Sequence, residues 1–344
     1  METNFFYQNH KAKFCFVVLI DESGIWAKTR VIFVWSGKKI KGQGHKKGRR
    51  LQVLAGYIKF CLLFLPQNGI IYITLLILQK LENTELWRCK MAKQNIYDNE
   101  TFFEGYKKIR DNEANANNLF EIPALFSMMP DLTGKRVLDL GCGFGEHCMR
   151  CIRQGAEKVV GIDISEKMLE VARKEHSDAG ITYVNMPMEE ISQLNETFDV
   201  VVSSLAFHYV EDFSGVVRNI YDLLEPGGNF IFSQENPLCT CHSGENRWTR
   251  NENGEKLYLN LANYGVEGER ESVWFVDNVK KYHRTFSTII NTLIEAGFTV
   301  EKMIEPLPDD ELLEKYPDYK DLFHKPDFLL VRVRKTPKKY QSPF

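Results

Sequence analysis

Residues 91–344 of this 344-residue chain predict an α/β fold built on a doubly wound sheet. Three observations carry the prediction. Apolar runs of strand length alternate with amphipathic stretches of helix length. The connections between them are short, as in a βαβαβ series. The run Val137-Leu138-Asp139-Leu140-Gly141-Cys142-Gly143-Phe144-Gly145 reads as a buried strand that turns on glycines into a helix.

The elements follow in order. RVLDLG (136–141) is a continuous apolar run and predicts a central strand. Residues 145–156 predict a helix closed near Gly155. EKVVGIDIS (157–165) is the second strand, and Ser165 is suited to cap the helix that follows it. ITYVNM (181–186) is the third strand and FDVVVSSLAF (198–207) the fourth. A helix over 210–228 is expected to end at Pro226-Gly227-Gly228, before a fifth strand at 229–235. STIINTLIEAG (287–297) predicts the last long helix, with Gly297 at its C-cap. FTVEKMIEP and DFLLVRVRK are the final strands. The acidic, proline-containing linker 307–325 between them is no crossover helix, so the two are expected to pair antiparallel.

Charge divides the chain. Residues 1–90 carry 15 Lys and Arg against 5 Asp and Glu, whereas 91–344 carry 29 against 41. The first segment holds a basic glycine-rich run at 36–50 and an uncharged apolar stretch at 60–79. That stretch has the length of a membrane span, but Pro66-Gln67-Asn68-Gly69 places a turn signal in its middle. The segment reads as sequence upstream of a start at Met91, with a basic arm or a membrane anchor as the alternatives. The expected organisation is a segment 1–90 outside the native protein, a helical cap at 91–130, and a catalytic domain at 131–344 with a lid insertion at 236–286. Eight cysteines form no disulfide framework, and Cys148-Met149-Arg150-Cys151 lies inside a helix, a structural pair. A reducing, cytoplasmic setting and no metal are expected.

Ligands in such sheets bind at the carboxyl ends of the strands. The glycines Gly141, Gly143 and Gly145 let a ligand approach the backbone closely. Asp139 precedes the turn. Asp163 ends the second strand, where a carboxylate suits a ribose diol. Met188 and Glu189 follow the third strand, placed to flank a base, and Ser204 and Leu205 follow the fourth. The spacing is G-x-G-x-G. In the dinucleotide pattern G-x-G-x-x-G a third glycine would stand where this chain has Glu146, so a nicotinamide oxidoreductase is disfavoured.

With those residues in place, VLDLGCGFGEH and VVGIDIS resemble the first two motifs of the class I S-adenosylmethionine-dependent methyltransferases, over about residues 97–334. The resemblance implies a Rossmann-like, seven-stranded mixed sheet of order 3-2-1-4-5-7-6 with the last strand antiparallel. It implies S-adenosyl-L-methionine as cofactor. Gly141, Cys142, Gly143 and Gly145 would then pack under its methionine part, and Asp139 would hold the backbone network there. Asp163 would bind the ribose and Ile164 would lie on the adenine. Met188 and Glu189 would read the adenine edge, where Pro187 replaces the family's usual acid. Ser204 and Leu205 would offer backbone contacts. Tyr106 and Arg110, on a helix before the core, resemble the family's cap over the cofactor and its carboxylate.

Methyl transfer from a sulfonium is a direct in-line displacement in which positioning dominates. His208 follows the fourth strand and is the candidate general base. Tyr209 lies beside it. Tyr282, His283 and Arg284 close the lid insertion and are candidates for substrate binding, with Arg284 suited to a carboxylate. The body has no continuous basic face, so a small-molecule acceptor is expected rather than nucleic acid. A macromolecular acceptor steered by the basic N-terminal segment is the alternative, and the oligomeric state stays open.

Overall fold

The computed structural model describes residues 94–241 and 246–336, with the backbone of three strands nearer the N-terminus. The chain divides into two units, Met1–Met91 and Ala92–Phe344. In the first unit Thr3–Asn9, Ala12–Val18 and Val31–Trp35 form an antiparallel sheet in chain order. A sheet there goes beyond the expected arm or anchor. The basic run 36–50, the apolar stretch 60–79 and Met91 lie outside the described residues. Among the described residues no helix is long and apolar enough to cross a membrane.

The second unit is organised by a seven-stranded sheet. Its strands are β1 Arg136–Leu140, β2 Lys158–Asp163, β3 Ile181–Asn185, β4 Phe198–Ser203, β5 Leu224–Glu235, β6 Phe298–Ile304 and β7 Phe328–Lys335. They lie in the order β3-β2-β1-β4-β5-β7-β6. Strands β1 to β5 are parallel neighbours, and β7 runs antiparallel to both β5 and β6. The predicted order is the observed one. Between β6 and β7 the chain forms only a six-residue helix, Asp310–Lys315, and a 3-10 segment, Pro317–Phe323. Neither is long enough for a parallel crossover, so β7 returns antiparallel.

Both sheet faces are buried, and the strands alternate between two cores. Leu138, Leu140, Val201, Phe230 and Phe232 face one core; Val137, Val200, Val202 and Ile231 face the other. The period of two delivers successive side chains to opposite faces. Burying each such Leu or Phe fully stabilises the fold by about 1.5–3 kcal/mol.

The principal helices are α1 Glu100–Arg110, α2 Ile122–Ser127, α3 Glu146–Arg153, α4 Glu166–Glu175, α5 Phe213–Leu223 and α6 Phe286–Glu295. Ser165 caps α4, its side chain accepting the Met168 N–H. Helix α5 ends at Leu223, earlier than expected at Pro226-Gly227-Gly228, because Leu224 turns extended and already pairs with Phe198. Regular pairing to β4 resumes at Asn229, so the Pro-Gly-Gly segment is an irregularity at the head of β5.

Between β5 and α6 the chain forms two hairpins, Trp248–Arg250 with Lys256–Leu259 and Gly268–Trp274 with Val276–His283. The tip of the second packs on α1: Phe102 meets Trp274 and Phe275 edge-on, with ring centroids 5.1 and 5.6 Å apart. A Cβ on Gly105 would lie 2.6 Å from Cδ1 of Phe275, so glycine is what lets the tip seat. Gln94 exchanges two hydrogen bonds with the backbone of Lys280, tying the cap segment to the same hairpin.

Candidate cofactor and acceptor site

Strand order reverses at β1, which has β2 on one side and β4 on the other. The turn Gly141–Gly145 leaves β1 at that point. The amides of Gly141 and Cys142 both donate to the Ile162 carbonyl at 2.9 Å, pinning the turn to β2. The three glycines have φ of +72°, +53° and +81°. Their surroundings differ. A Cβ on Gly141 would lie 2.7 Å from the Ala206 Cβ, and one on Gly145 would lie 2.8 Å from Cζ of Tyr183. A Cβ on Gly143 would meet no atom within 4 Å. Gly141 and Gly145 are therefore held to glycine by packing, and Gly143 faces open space. The Cys142 side chain turns inward with Cys148, into room that Gly161 provides on β2.

Asp163 braces the turn from β2. One carboxylate oxygen accepts the Gly143 N–H at 2.9 Å and the other the Ser165 N–H at 2.8 Å. Burial raises its pKa against the lowering by those amides. Ile164 is half-buried, its carbonyl held by Asn95 and Asn185. Met188 opens the 3-10 segment Met188–Gln193 after β3, and its Cε lies 3.6 Å from where a Gly141 Cβ would be. Glu189 follows, its carbonyl accepting from Asn219.

On the other side of the turn lies a cluster of ionisable groups. Asp139 is fully buried and accepts the Cys148 thiol at 3.2 Å; burial pushes its pKa up to about 7. Arg110 of α1 forms an ion pair with Glu146 at the first turn of α3. Tyr106 sits between Tyr97 and Phe144, at centroid distances of 5.2 and 5.9 Å. Glu121 ends a π-helical turn, Asn117–Glu121, that leads into α2. It accepts from the hydroxyls of Ser204 and Ser233 at 2.9 and 2.5 Å.

Next to this cluster aromatic and polar side chains gather at the ends of β4 and β5. Tyr97 contacts Tyr209 and Tyr106, and Trp274 reaches Tyr106 at 6.1 Å. Lys281 bonds Glu235 at 2.5 Å and lies over the Trp274 ring. His208 stands beside Glu235, its Nδ1 accepting the Glu235 N–H at 3.4 Å. Among the described residues no group of three or more His, Cys, Asp or Glu side chains could hold a metal ion.

A family model described as a methyltransferase domain matches residues 138–232, from β1 into β5. The chain is 38% identical to an S-adenosylmethionine dependent methyltransferase from Mesorhizobium loti of known structure. That likeness covers 64% of this chain and 99% of the other, with a TM-score of 0.59. The chain belongs to the S-adenosylmethionine-dependent methyltransferases. It is also 42% identical over 252 residues to an uncharacterized protein of Haemophilus influenzae, covering 72% of this chain and 99% of that one. A ubiquinone biosynthesis O-methyltransferase of Vibrio cholerae matches at 38% over 108 residues, 30% of this chain and under half, 44%, of that relative.

The residues of this methyltransferase fit its cofactor. Gly143 offers backbone with open space above it. Each Asp163 oxygen keeps a second lone pair for a ribose hydroxyl while holding the turn. Met188 stands beside the turn. S-adenosylmethionine supplies the electrophilic methyl group; the chain supplies the cradle.

The structure places the other expected residues as follows. His208 is 4% exposed, and burial lowers its pKa to about 4. Its Nδ1 lone pair is engaged by the Glu235 amide, which assigns the proton to Nε2. It is a neutral group joining β5 to the turn after β4. His283 is fully buried and satisfied at both nitrogens, by Thr240 Oγ1 and the Tyr264 carbonyl, each at 2.8 Å. The Arg284 guanidinium bonds the carbonyls of Phe207, Val210, Glu211 and Tyr282 and lies over Phe213, so it braces the chain. Tyr282 lies under Arg284 on the lid strand. Asp139 bonds the Cys148 thiol rather than a network of backbone amides. The Leu205 amide is spent on Ser233, and Ser204 uses its hydroxyl on Glu121.

Sequence reasoning missed Tyr97, Glu121, Glu235 and Lys281. Glu121 had a signal: it is the one acid within the apolar stretch Leu119–Phe126. Tyr97, Glu235 and Lys281 had none, since they come together only when cap, β5 and lid fold over one another.

Proposed function

We propose that this methyltransferase transfers the methyl group to a small organic acceptor held under the lid, by direct in-line displacement. The observation that carries the reading is the gathering of side chains at the ends of β4 and β5. The rings of Tyr209, Tyr97, Tyr106 and Trp274 form a chain there, each meeting the next, and the Glu235–Lys281 pair supplies the polar contact. A few rings and one ion pair suit a compact acceptor that is oriented and shielded from water. The acidic balance of residues 91–344 disfavours a polyanion. The partial likeness to a ubiquinone biosynthesis O-methyltransferase supports an organic small molecule. A reducing, cytoplasmic setting belongs to the same reading, supported by the free state of Cys142, Cys148, Cys151, Cys239 and Cys241. The cap at 91–130 and the lid at 236–286 would close the site from two sides.

Thermal shift tests the cofactor side. S-adenosylhomocysteine at 100 times its Kd is expected to stabilise the protein by about 2.7 kcal/mol, and NAD to leave it unchanged. Stabilisation by NAD alone would overturn the assignment. Metabolite profiling of a deletion strain tests the acceptor; an accumulating macromolecular substrate, such as undermethylated RNA, would count against the small-molecule reading.

His208 gives a separate expectation. Its neutral form is favoured by burial, so its contribution to stability is complete above about pH 6.5 and is lost as the pH falls toward about 4. His208→Asn keeps an acceptor for the Glu235 N–H. The variant is expected to lose less stability than the wild type between pH 7 and 4, and to keep kcat within about tenfold with an unshifted pH profile. Loss of an alkaline plateau in kcat for this variant would restore His208 as the base.

A further inference from the structure

Glu121 is the one described carboxylate that is wholly buried with an oxygen lacking any partner. Its side chain is 0% exposed, and Oε2 has no hydrogen bond. The other oxygen is held by a built network. The Ser204 and Ser233 hydroxyls both donate to Oε1, and the Leu205 N–H donates in turn to Ser233 Oγ at 3.0 Å. Leu205 adopts φ of +52°, a conformation that costs a non-glycine residue about 1 kcal/mol or more and that marks functional segments. Glu121 itself ends a π-helical turn, another irregularity that recurs at functional sites. Three unusual features therefore converge on one carboxylate.

Its neighbours define what it faces. Arg110, Tyr106 and Asp139 all feel its charge. These lie on α1 and at the end of β1, immediately before the glycine turn. Arg110 is bonded to Glu146 and acts on Glu121 only through its charge, so no described cation bonds Oε2. A buried polar atom left without a partner costs about 1–3 kcal/mol, and an ionised one costs more. The missing partner must be a compact donor, preferably cationic, that arrives beside the glycine turn. The cofactor's α-ammonium has that chemistry, three N–H donors on a point charge.

We propose that Glu121 is the counter-ion for the α-ammonium group of S-adenosylmethionine, with Ser204, Ser233 and the strained Leu205 as positioning residues that aim it. The inference rests on the cofactor assignment and adds a residue outside its two sequence motifs. Asp139, already bonded to the Cys148 thiol at the base of the turn, is then a secondary charge at this end. Burial, the largest effect, raises the Glu121 pKa against the lowering by the serine hydroxyls and Arg110.

Isothermal titration with two probes tests it: S-adenosylhomocysteine, and its desamino analogue, which lacks only the α-amino group. Wild-type protein is expected to prefer S-adenosylhomocysteine by about 10- to 100-fold, the value of a charge-assisted hydrogen bond made in a buried site. Glu121→Gln is expected to weaken S-adenosylhomocysteine by a similar factor. The same variant should bind the desamino analogue equally well or better, because a carboxylate repels the analogue's net negative charge. Equal weakening of both probes would mean a structural role and overturn the proposal; so would an unchanged affinity for S-adenosylhomocysteine. Should Glu121→Gln fail to fold by circular dichroism, the wild-type ratio decides: discrimination under about tenfold overturns the proposal and tenfold or more supports it. Binding of neither probe to folded wild-type protein would refute the cofactor assignment itself, an outcome separate from all of these.

Discussion

Gly145→Ala is expected to destabilise the second unit by about 3–5 kcal/mol, while Gly143→Ala, two residues away in the same turn, costs about 1 kcal/mol and removes cofactor binding instead. Both glycines have positive φ, so alanine is strained at either position. The difference is in what a methyl group would meet. At Gly145 it runs into the Tyr183 ring and lies 3.0 Å from the Ala172 Cβ. Tyr183 cannot yield cheaply, because its hydroxyl donates to the His176 carbonyl at 2.8 Å. At Gly143 the methyl meets no protein atom and projects into the space over the turn. Urea denaturation and titration with S-adenosylhomocysteine on both variants separate the two effects. Equal losses of stability, or wild-type affinity in Gly143→Ala, would refute the division of labour within the turn. Domain stabilities of about 5–15 kcal/mol leave Gly145→Ala marginally folded.

Asp163→Ala is expected to weaken S-adenosylhomocysteine by about 100-fold or more and to lower stability as well. The aspartate does two jobs. It accepts the Gly143 and Ser165 amides, so removing it leaves two amide donors without their acceptor and frees the turn from β2. In the proposed reading it also accepts the ribose hydroxyls of the cofactor with its remaining lone pairs. Asp163→Asn should fall between, since an amide can accept from one backbone N–H and must face the other with its own donors. Calorimetric titration reads the affinities. An Asp163→Ala variant within threefold of wild-type affinity would remove Asp163 from the cofactor site.

The fold was open to sequence reasoning because its signals are local. Continuous apolar runs marked β1, β2 and β4, since strands covered on both faces carry no polar alternation. The Ser165 cap could be read from one residue and is found with its Met168 bond. The end of α5 could not, because Leu224 leaves the helix to pair with Phe198, a partner 26 residues earlier in the chain. The glycine turn was equally legible: Gly141, Gly143, Gly145 and Asp163 lie within two successive strand-turn units, and local geometry dictates their residue types. The acceptor half was not. His283 and Arg284 look like ligand-binding residues in sequence, yet both are consumed by backbone carbonyls and a threonine hydroxyl. A histidine or arginine advertises hydrogen-bonding capacity, and only the folded surroundings say where that capacity is spent.

By itself the sequence determined the parallel sheet, its antiparallel last strand and a glycine turn of the kind that admits a nucleotide-bearing ligand, because periodicity, glycine turns and caps act over a few residues. The tertiary structure alone decided which charged groups are free to meet a ligand. Glu121 is left with an open oxygen, while Arg110, His208, His283 and Arg284 are engaged, and those outcomes depend on side chains brought together from α1, β5, the lid and the turn after β4. Burial and partner choice are long-range properties, and they separate an acid that holds the fold from one that awaits a cation.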